Sequence, residues 1–122
     1  MTLKKNMYRI TVSTFISACV GLILITAISC KKQNIGTPGE NEIFLLYKTF
    51  SPTSLAVKKG TTITFTNKDN ANHSITSSTG LFDSGKIKNE DSFLHTFNDA
   101  GTYSFYCRYH SNQQEQGTII VQ

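Results

Sequence analysis

The stretch YSFYCRYH at residues 103–110 decides the interpretation of this chain. Its alternating aromatic residues predict a β-strand, and the period of two puts Cys107 on the same strand face as two of them. His110 follows Cys107 after two residues, and a further histidine, His73, lies well upstream. A thiolate and two imidazoles are the His₂Cys ligand set of copper in electron-transfer sites. The sequence therefore predicts a copper site at the end of this strand.

The second half of the chain has the pattern of an all-β domain. Short runs of alternating or β-branched residues are separated by turns rich in Gly, Asn and Asp, and no run has the period of a helix. Seven to eight such strands predict a β-sandwich. The predicted strands cover residues 42–47, 54–57, 61–66, 74–76, 92–97, 102–107 and 118–121.

In the order of these features the chain resembles the cupredoxins, in particular their plastocyanin, amicyanin and pseudoazurin group, over residues 47–122. The resemblance implies a Greek-key β-sandwich with one copper, for which His73, Cys107 and His110 are the expected ligands. It also implies that the backbone N–H of Ser74 donates to the Cys107 sulfur, and that Asn67 stabilises the ligands without binding the copper itself. The matching motifs are Asn67-x-Asp69, His73, FDSG at 82–85, Phe97, Gly101-x-Tyr103, Cys107-x-x-His110 and Gly117.

The fourth copper ligand is where the chain departs from these relatives. They usually keep a weak axial Met in the loop after the second histidine, and no Met lies between His110 and Gly117. The loop has the plastocyanin-like length, which puts Glu115 at the Met position. Gln113, Gln114 and Gln116 are alternatives, since some relatives use an axial Gln. A further alternative is that Glu115 is a solvated loop residue and that the copper has three ligands or the site is degenerate.

The N-terminal third has the features of an export signal. Residues 1–9 are basic, and residues 10–29 form an uncharged apolar stretch that is also long enough to span a bilayer if uncleaved. The junction Ala27-Ile-Ser-Cys30 resembles a bacterial lipobox, so we expect Cys30 to be acylated; alternatively it merely follows a cleaved signal or a membrane anchor. The expected organisation is a signal at 1–29, a polar tether at 30–40 and the domain at 41–122.

Charge and cysteine content reduce the number of function classes that fit this chain. Residues 1–29 hold three of the 12 basic residues and none of the 8 acidic ones, so the remainder has a net charge of only +1. A nucleic-acid partner is therefore not expected. Cys19 lies in the apolar stretch, so with Cys30 acylated Cys107 is the one thiol left in an exported domain. Binding to a metal explains an unpaired cysteine in an oxidising compartment.

The third histidine, His95, is expected to be half-buried packing rather than a ligand, because it alternates with Leu94 in a predicted strand. Six phenylalanines are expected to form the core. They are Phe50, Phe65, Phe82, Phe93, Phe97 and Phe105.

Three functions remain open at this point. The first is a type-1-like copper protein that transfers single electrons between exported redox partners. The second is a copper-binding or delivery protein with a labile site, and the third is a metal-free β-sandwich interaction module. We expect no catalytic residues and no enzymatic activity.

The expected setting follows from the export signal and the resemblance. We expect a monomer held by its lipid on the periplasmic or outer-membrane side of a bacterial cell envelope. By resemblance, His110 is the ligand that reaches solvent, and exported or membrane redox proteins dock near it, beside Arg108 and Tyr109.

Overall fold

The computed structural model describes residues 34–110 and 115–122. These residues form eight β-strands and no helix. The strands are β1 (Glu42–Leu46), β2 (Thr49–Ser51), β3 (Ser54–Val57), β4 (Thr61–Asn67), β5 (Thr76–Ser77), β6 (Ser92–Phe97), β7 (Gly101–Tyr106) and β8 (Gln116–Val121).

The strands make two four-stranded sheets. The first has the order β2-β1-β4-β6 and the second the order β3-β8-β7-β5. β1 pairs with β4 in parallel and β3 pairs with β8 in parallel, while the other pairs are antiparallel. Neighbours in each sheet are mostly distant in sequence, as in a Greek-key sandwich. The predicted fold class is confirmed.

The core joins the sheets through aromatic contacts at the level of Phe105, two residues before Cys107. Phe105 lies on β7 of the second sheet, and its ring centroid is 5.5 Å from that of Phe65 on β4 and 5.1 Å from that of Phe50 on β2. All three rings are at most 2% exposed. Burial of each such side chain stabilises the fold by about 1.5–3 kcal/mol. The metal-ligand candidate Cys107 thus follows directly on the buried aromatic core.

Two elements differ from the sequence-based expectation. β2 was not predicted, because it has three residues and ends at the Ser51-Pro52 turn. The predicted strand at 74–76 is displaced to Thr76–Ser77, because Ser74 and Ile75 donate their backbone N–H groups to side chains, the Cys107 Sγ and the Ser84 Oγ. These two N–H groups therefore bond to side chains and not to a neighbouring strand.

The aromatic assignments hold. His95 is half-buried, with its ring centroid 4.6 Å from that of Phe82 and 4.8 Å from that of Phe97. This contact confirms His95 as a packing residue. Of the six phenylalanines, Phe93 alone is half-buried rather than fully buried.

The N-terminal predictions fall outside the described structure. The signal at 1–29 and Cys30 precede its first residue, and residues 34–39 have no regular secondary structure. In the part of the chain that the structure describes, no helix is long and apolar enough to cross a membrane. The division into signal, tether and domain stays a prediction.

Candidate metal centre

Cys107 is a candidate ligand at the end of a core strand. It follows the last residue of β7 and is fully buried. Its backbone N–H donates to the carbonyl of Glu115 at 3.1 Å, which extends the β7–β8 ladder by one bond. The Ser74 N–H donates to its Sγ at 3.4 Å, as the resemblance implied. A buried sulfur with one N–H donor is well suited to be held as a thiolate on a metal.

His73 reaches the sulfur from the loop between β4 and β5. Its backbone forms an isolated bridge with Ile87, with N–H···O distances of 3.1 and 2.9 Å in the two directions. The ring is fully buried, with Nδ1 3.9 Å from Cys107 Sγ. Its other nitrogen, Nε2, lies 3.0 Å from the Oδ2 of Asp69. Both nitrogens of His73 are therefore engaged.

His110 closes the set from the turn after Cys107. Its N–H donates to the Cys107 carbonyl at 3.3 Å, and its Nδ1 lies 3.5 Å from Sγ. Its side chain is 17% exposed, in contrast to the buried His73. Of the two histidines, His110 is thus the one that reaches solvent, as expected.

Glu115 lies between the two histidines. Its Oε1 is 2.9 Å from His73 Nδ1 and its Oε2 is 2.9 Å from His110 Nδ1. The residue is 1% exposed, so it is not a solvated loop residue. Of the alternatives, Gln113 and Gln114 lie outside the described residues, and Gln116 is exposed on β8. The axial assignment of Glu115 stays a prediction that this position favours.

One ligand atom from each of His73, Cys107, His110 and Glu115 can be chosen so that all four lie within 4.8 Å of one another. Metal–nitrogen and metal–sulfur bonds of about 2.0–2.3 Å require ligand atoms to be about 3–4 Å apart. At up to 4.8 Å the cluster is slightly wider than this spacing, so small side-chain movements would bring the four atoms around one ion. Its sulfur and imidazole donors suit copper, and its carboxylate adds a harder donor that suits the divalent state.

Polar contacts fix the segments that carry the ligands. The Asn67 Nδ2 donates to the carbonyls of Ala71 and Ile87 at 2.8 and 3.0 Å. The Ser74 Oγ accepts the N–H of Arg108 at 2.9 Å, and Arg108 forms an ion pair with Asp83. Asn67 and Ser74 are thus hydrogen-bonded to the segments that carry the candidate ligands, and their role in supporting a copper site stays a prediction.

The electrostatics of His73 reflect its crowded surroundings. Burial alone would lower the pKa of His73, but its hydrogen bonds to Cys107, Glu115 and Asp69 outweigh burial and raise this pKa from 6.5 to about 10. Burial pushes the pKa of Asp69 upward, but its hydrogen bond and charge interaction with His73 and the backbone N–H groups of Asn70 and Ala71 together outweigh this and hold the pKa below its ordinary value. In the metal-free protein, a pKa this high favours the doubly protonated, cationic form of His73 at neutral pH.

The contact between Asp69 and His73 is the feature that sequence analysis missed. Asp69 stood in the matching motif, but no role followed from it. Its spacing four residues before His73 is a weak signal, because a loop of that length can place the carboxylate almost anywhere.

Comparison with known proteins gives a consistent result. The cupredoxin-like domain family matches residues 19–121. Plastocyanin from Daucus carota is 35% identical over 83 residues, covering 59% of this chain and 86% of that protein. Plastocyanin from Scenedesmus fuscus is 32% identical over 84 residues, covering 60% and 86%.

Solved structures agree in fold. A purple cupredoxin from Nitrosopumilus maritimus superimposes with a TM-score of 0.60 at 30% identity, covering 66% of this chain and 98% of that one. An oxidised amicyanin mutant gives a TM-score of 0.63, covering 71% and 86%. At 24% identity, the amicyanin likeness supports the fold alone.

Proposed function

The chain belongs to the cupredoxin-like family, and on that premise we propose that it is a single-electron carrier between exported redox partners. The family's general function is copper-based electron transfer, its plastocyanin homologues are electron carriers rather than enzymes, and its cofactor is one copper ion. The observation that supports the proposal most is the convergence of four ligand atoms within 4.8 Å, one of which belongs to the partly exposed His110.

His73, Cys107 and His110 would hold the copper, with Glu115 on the axial side. Copper, when bound, supplies one-electron exchange between its cuprous and cupric states. The protein's contribution is to hold the ligands in nearly one arrangement for both states. Three features hold the ligands in place. They are the packing of Phe105 next to Cys107, the backbone bridge between His73 and Ile87, and the hydrogen bond from the Ser74 N–H to the Cys107 sulfur.

The proposed exit for the electron is the ring edge of His110. Of the two candidate histidine ligands, His110 has the more exposed side chain. Its neighbour Tyr109 is 44% exposed. An aromatic side chain beside an exposed ligand suits a transient interface, since it offers apolar area at low entropic cost. We propose that redox partners dock here and that the protein acts as a monomer.

We further propose that the protein is exported and anchored through an acylated Cys30. Support comes from the basic start, the apolar stretch and the Ala27-Ile-Ser-Cys30 junction. Multiple acyl chains would anchor the protein stably where one would not. Mass spectrometry of the mature N-terminus tests this: an intact Met1 or an unmodified Cys30 would refute it.

One observation favours a second candidate function, copper delivery. The buried Glu115 carboxylate is a poor ligand for the soft cuprous ion, which would then be released more readily through the exposed side of His110. Voltammetry of the copper-loaded, full-length protein, combined with a challenge by a cuprous chelator, separates the two. A reversible couple that survives the chelator supports the carrier, and rapid loss of copper supports delivery.

A further inference from the structure

We propose that Asp69 is a positioning residue that sets the preference of the site for the cupric over the cuprous state, through its contact with His73. The observation is the 3.0 Å distance between Asp69 Oδ2 and His73 Nε2, on the side of the ring away from the candidate metal position. The inference rests on the proposed copper function and adds to it a residue outside the ligand set.

Asp69 is held in place by its own loop. Its N–H donates to Asn67 Oδ1 at 2.8 Å, and its Oδ1 accepts the N–H of Asn70 at 2.7 Å. The side chain of Asn89 donates to its carbonyl at 3.0 Å. Both carboxylate oxygens therefore have fixed donors, and the side chain, at 17% exposure, is largely shielded from water. These hydrogen bonds restrict Asp69 to the conformation in which its Oδ2 meets His73 Nε2.

The chemistry of imidazole gives this contact a consequence. A neutral imidazole that uses Nδ1 as a metal ligand carries its proton on Nε2, and that N–H needs an acceptor in a buried site. Asp69 is this acceptor, so it fixes both the tautomer and the ring plane of His73. The negative charge of Asp69 also makes the ring a stronger donor. A stronger donor stabilises the higher charge of Cu(II) more than that of Cu(I).

The test compares three variants of the full-length, copper-loaded protein with the wild type. Asp69→Asn has the same shape and keeps an oxygen acceptor but removes the charge, and Asp69→Ala removes both. Asp91→Asn is the matched control, since Asp91 is exposed and its backbone carbonyl, not its side chain, contacts Asn67. The readouts are the reduction potential, the thiolate-to-copper absorption, and the His73 Nε2–H resonance in the diamagnetic cuprous form.

We expect Asp69→Asn to weaken Cu(II) binding relative to Cu(I) roughly tenfold, the lower end of the effect of such supporting residues. For one electron this is a rise in potential of about 59 mV. The absorption band should remain, because the sulfur ligand is untouched. Asp69→Ala should in addition speed the exchange of the Nε2–H with water, while Asp91→Asn should change neither quantity.

Equal potentials for Asp69→Asn and Asp91→Asn would overturn the inference, because Asp69 would then have no specific effect on His73. Loss of folding stability in Asp69→Asn without a shift in potential would also overturn it, since the role would be structural. In either outcome, the proposed function still stands if the wild-type protein binds copper and shows a reversible potential. A wild-type protein that binds no copper refutes the function and the inference together.

Discussion

The carboxylate of Glu115 lies 2.9 Å from the Nδ1 of His73, although the two residues are 42 positions apart. The backbone makes this contact possible: the Glu115 carbonyl accepts the N–H of Cys107 at 3.1 Å, which places Glu115 opposite the cysteine, immediately before β8. Its side chain then points into the site rather than to solvent. In the proposed site this buried carboxylate would stand where an ordinary blue copper site has a thioether, and that would be the main chemical difference between them.

Glu115→Met should raise the reduction potential and make the spectrum more like that of an ordinary blue site. A carboxylate stabilises Cu(II) electrostatically, and each ~1.4 kcal/mol of such preference is a tenfold shift in the redox equilibrium. Redox titration and visible absorption measure both effects, with Glu115→Gln as the control that keeps an oxygen donor without the charge. Unchanged values in Glu115→Met, together with a shift on substitution of Gln113 or Gln114, would assign the axial position to a glutamine instead.

The metal-free protein should lose stability as the pH rises from about 6.5 to about 10. The folded-state pKa of His73, about 10, is above its ordinary value of 6.5, so the folded state keeps a proton that the unfolded state releases. This contribution is complete below pH 6.5 and disappears as the pH passes about 10. Urea unfolding across that range measures it. His73→Gln should flatten the dependence, and an equally steep curve in that variant would contradict the assignment.

The affinity of the protein for Cu(II) should increase as the pH rises to about 10, whereas the stability of the metal-free protein should decrease. A metal on the Nδ1 of His73 must displace the proton that the raised pKa retains, so binding releases it to solvent. Competition with a chelator of known affinity at several pH values measures the slope. An affinity independent of pH between about 7 and about 9 would show that His73 is not protonated in the metal-free protein.

Gly117→Ala should destabilise the fold by about 1–3 kcal/mol, as overpacking in a core does. Gly117 pairs with Phe105 across β7 and β8, and a Cβ at this position would lie 2.7 Å from the ring atom Cε2. Chemical denaturation measures the change. Gly39→Ala is the control, since its Cβ would have its nearest contact at 3.6 Å. Addition of Phe105→Leu should recover part of the loss, and no recovery would place the strain elsewhere.

The parts of the structure that could be predicted are those that depend on the alternation or spacing of residues close together in the sequence. The alternation of residues 92–97 predicted β6 with its exact bounds, and the Cys107-x-x-His110 spacing predicted two candidate ligands that the structure places together. The short strand β2 carries no such pattern because it depends on pairing with β1. The contact of Asp69 with His73 depends on how the Asn67 side chain folds the loop, which no periodicity records.

The most direct test of the central claim is a Cu(II) titration of the full-length protein, followed by visible absorption, beside Cys107→Ser. We expect one copper per chain in the wild type, with an intense thiolate-to-copper band that saturates at one equivalent. Cys107→Ser should lack this band, because its serine oxygen cannot give the sulfur transition. The same spectrum in both proteins, or no stoichiometric binding by the wild type, would contradict the assignment of Cys107, His73 and His110 as the copper ligands.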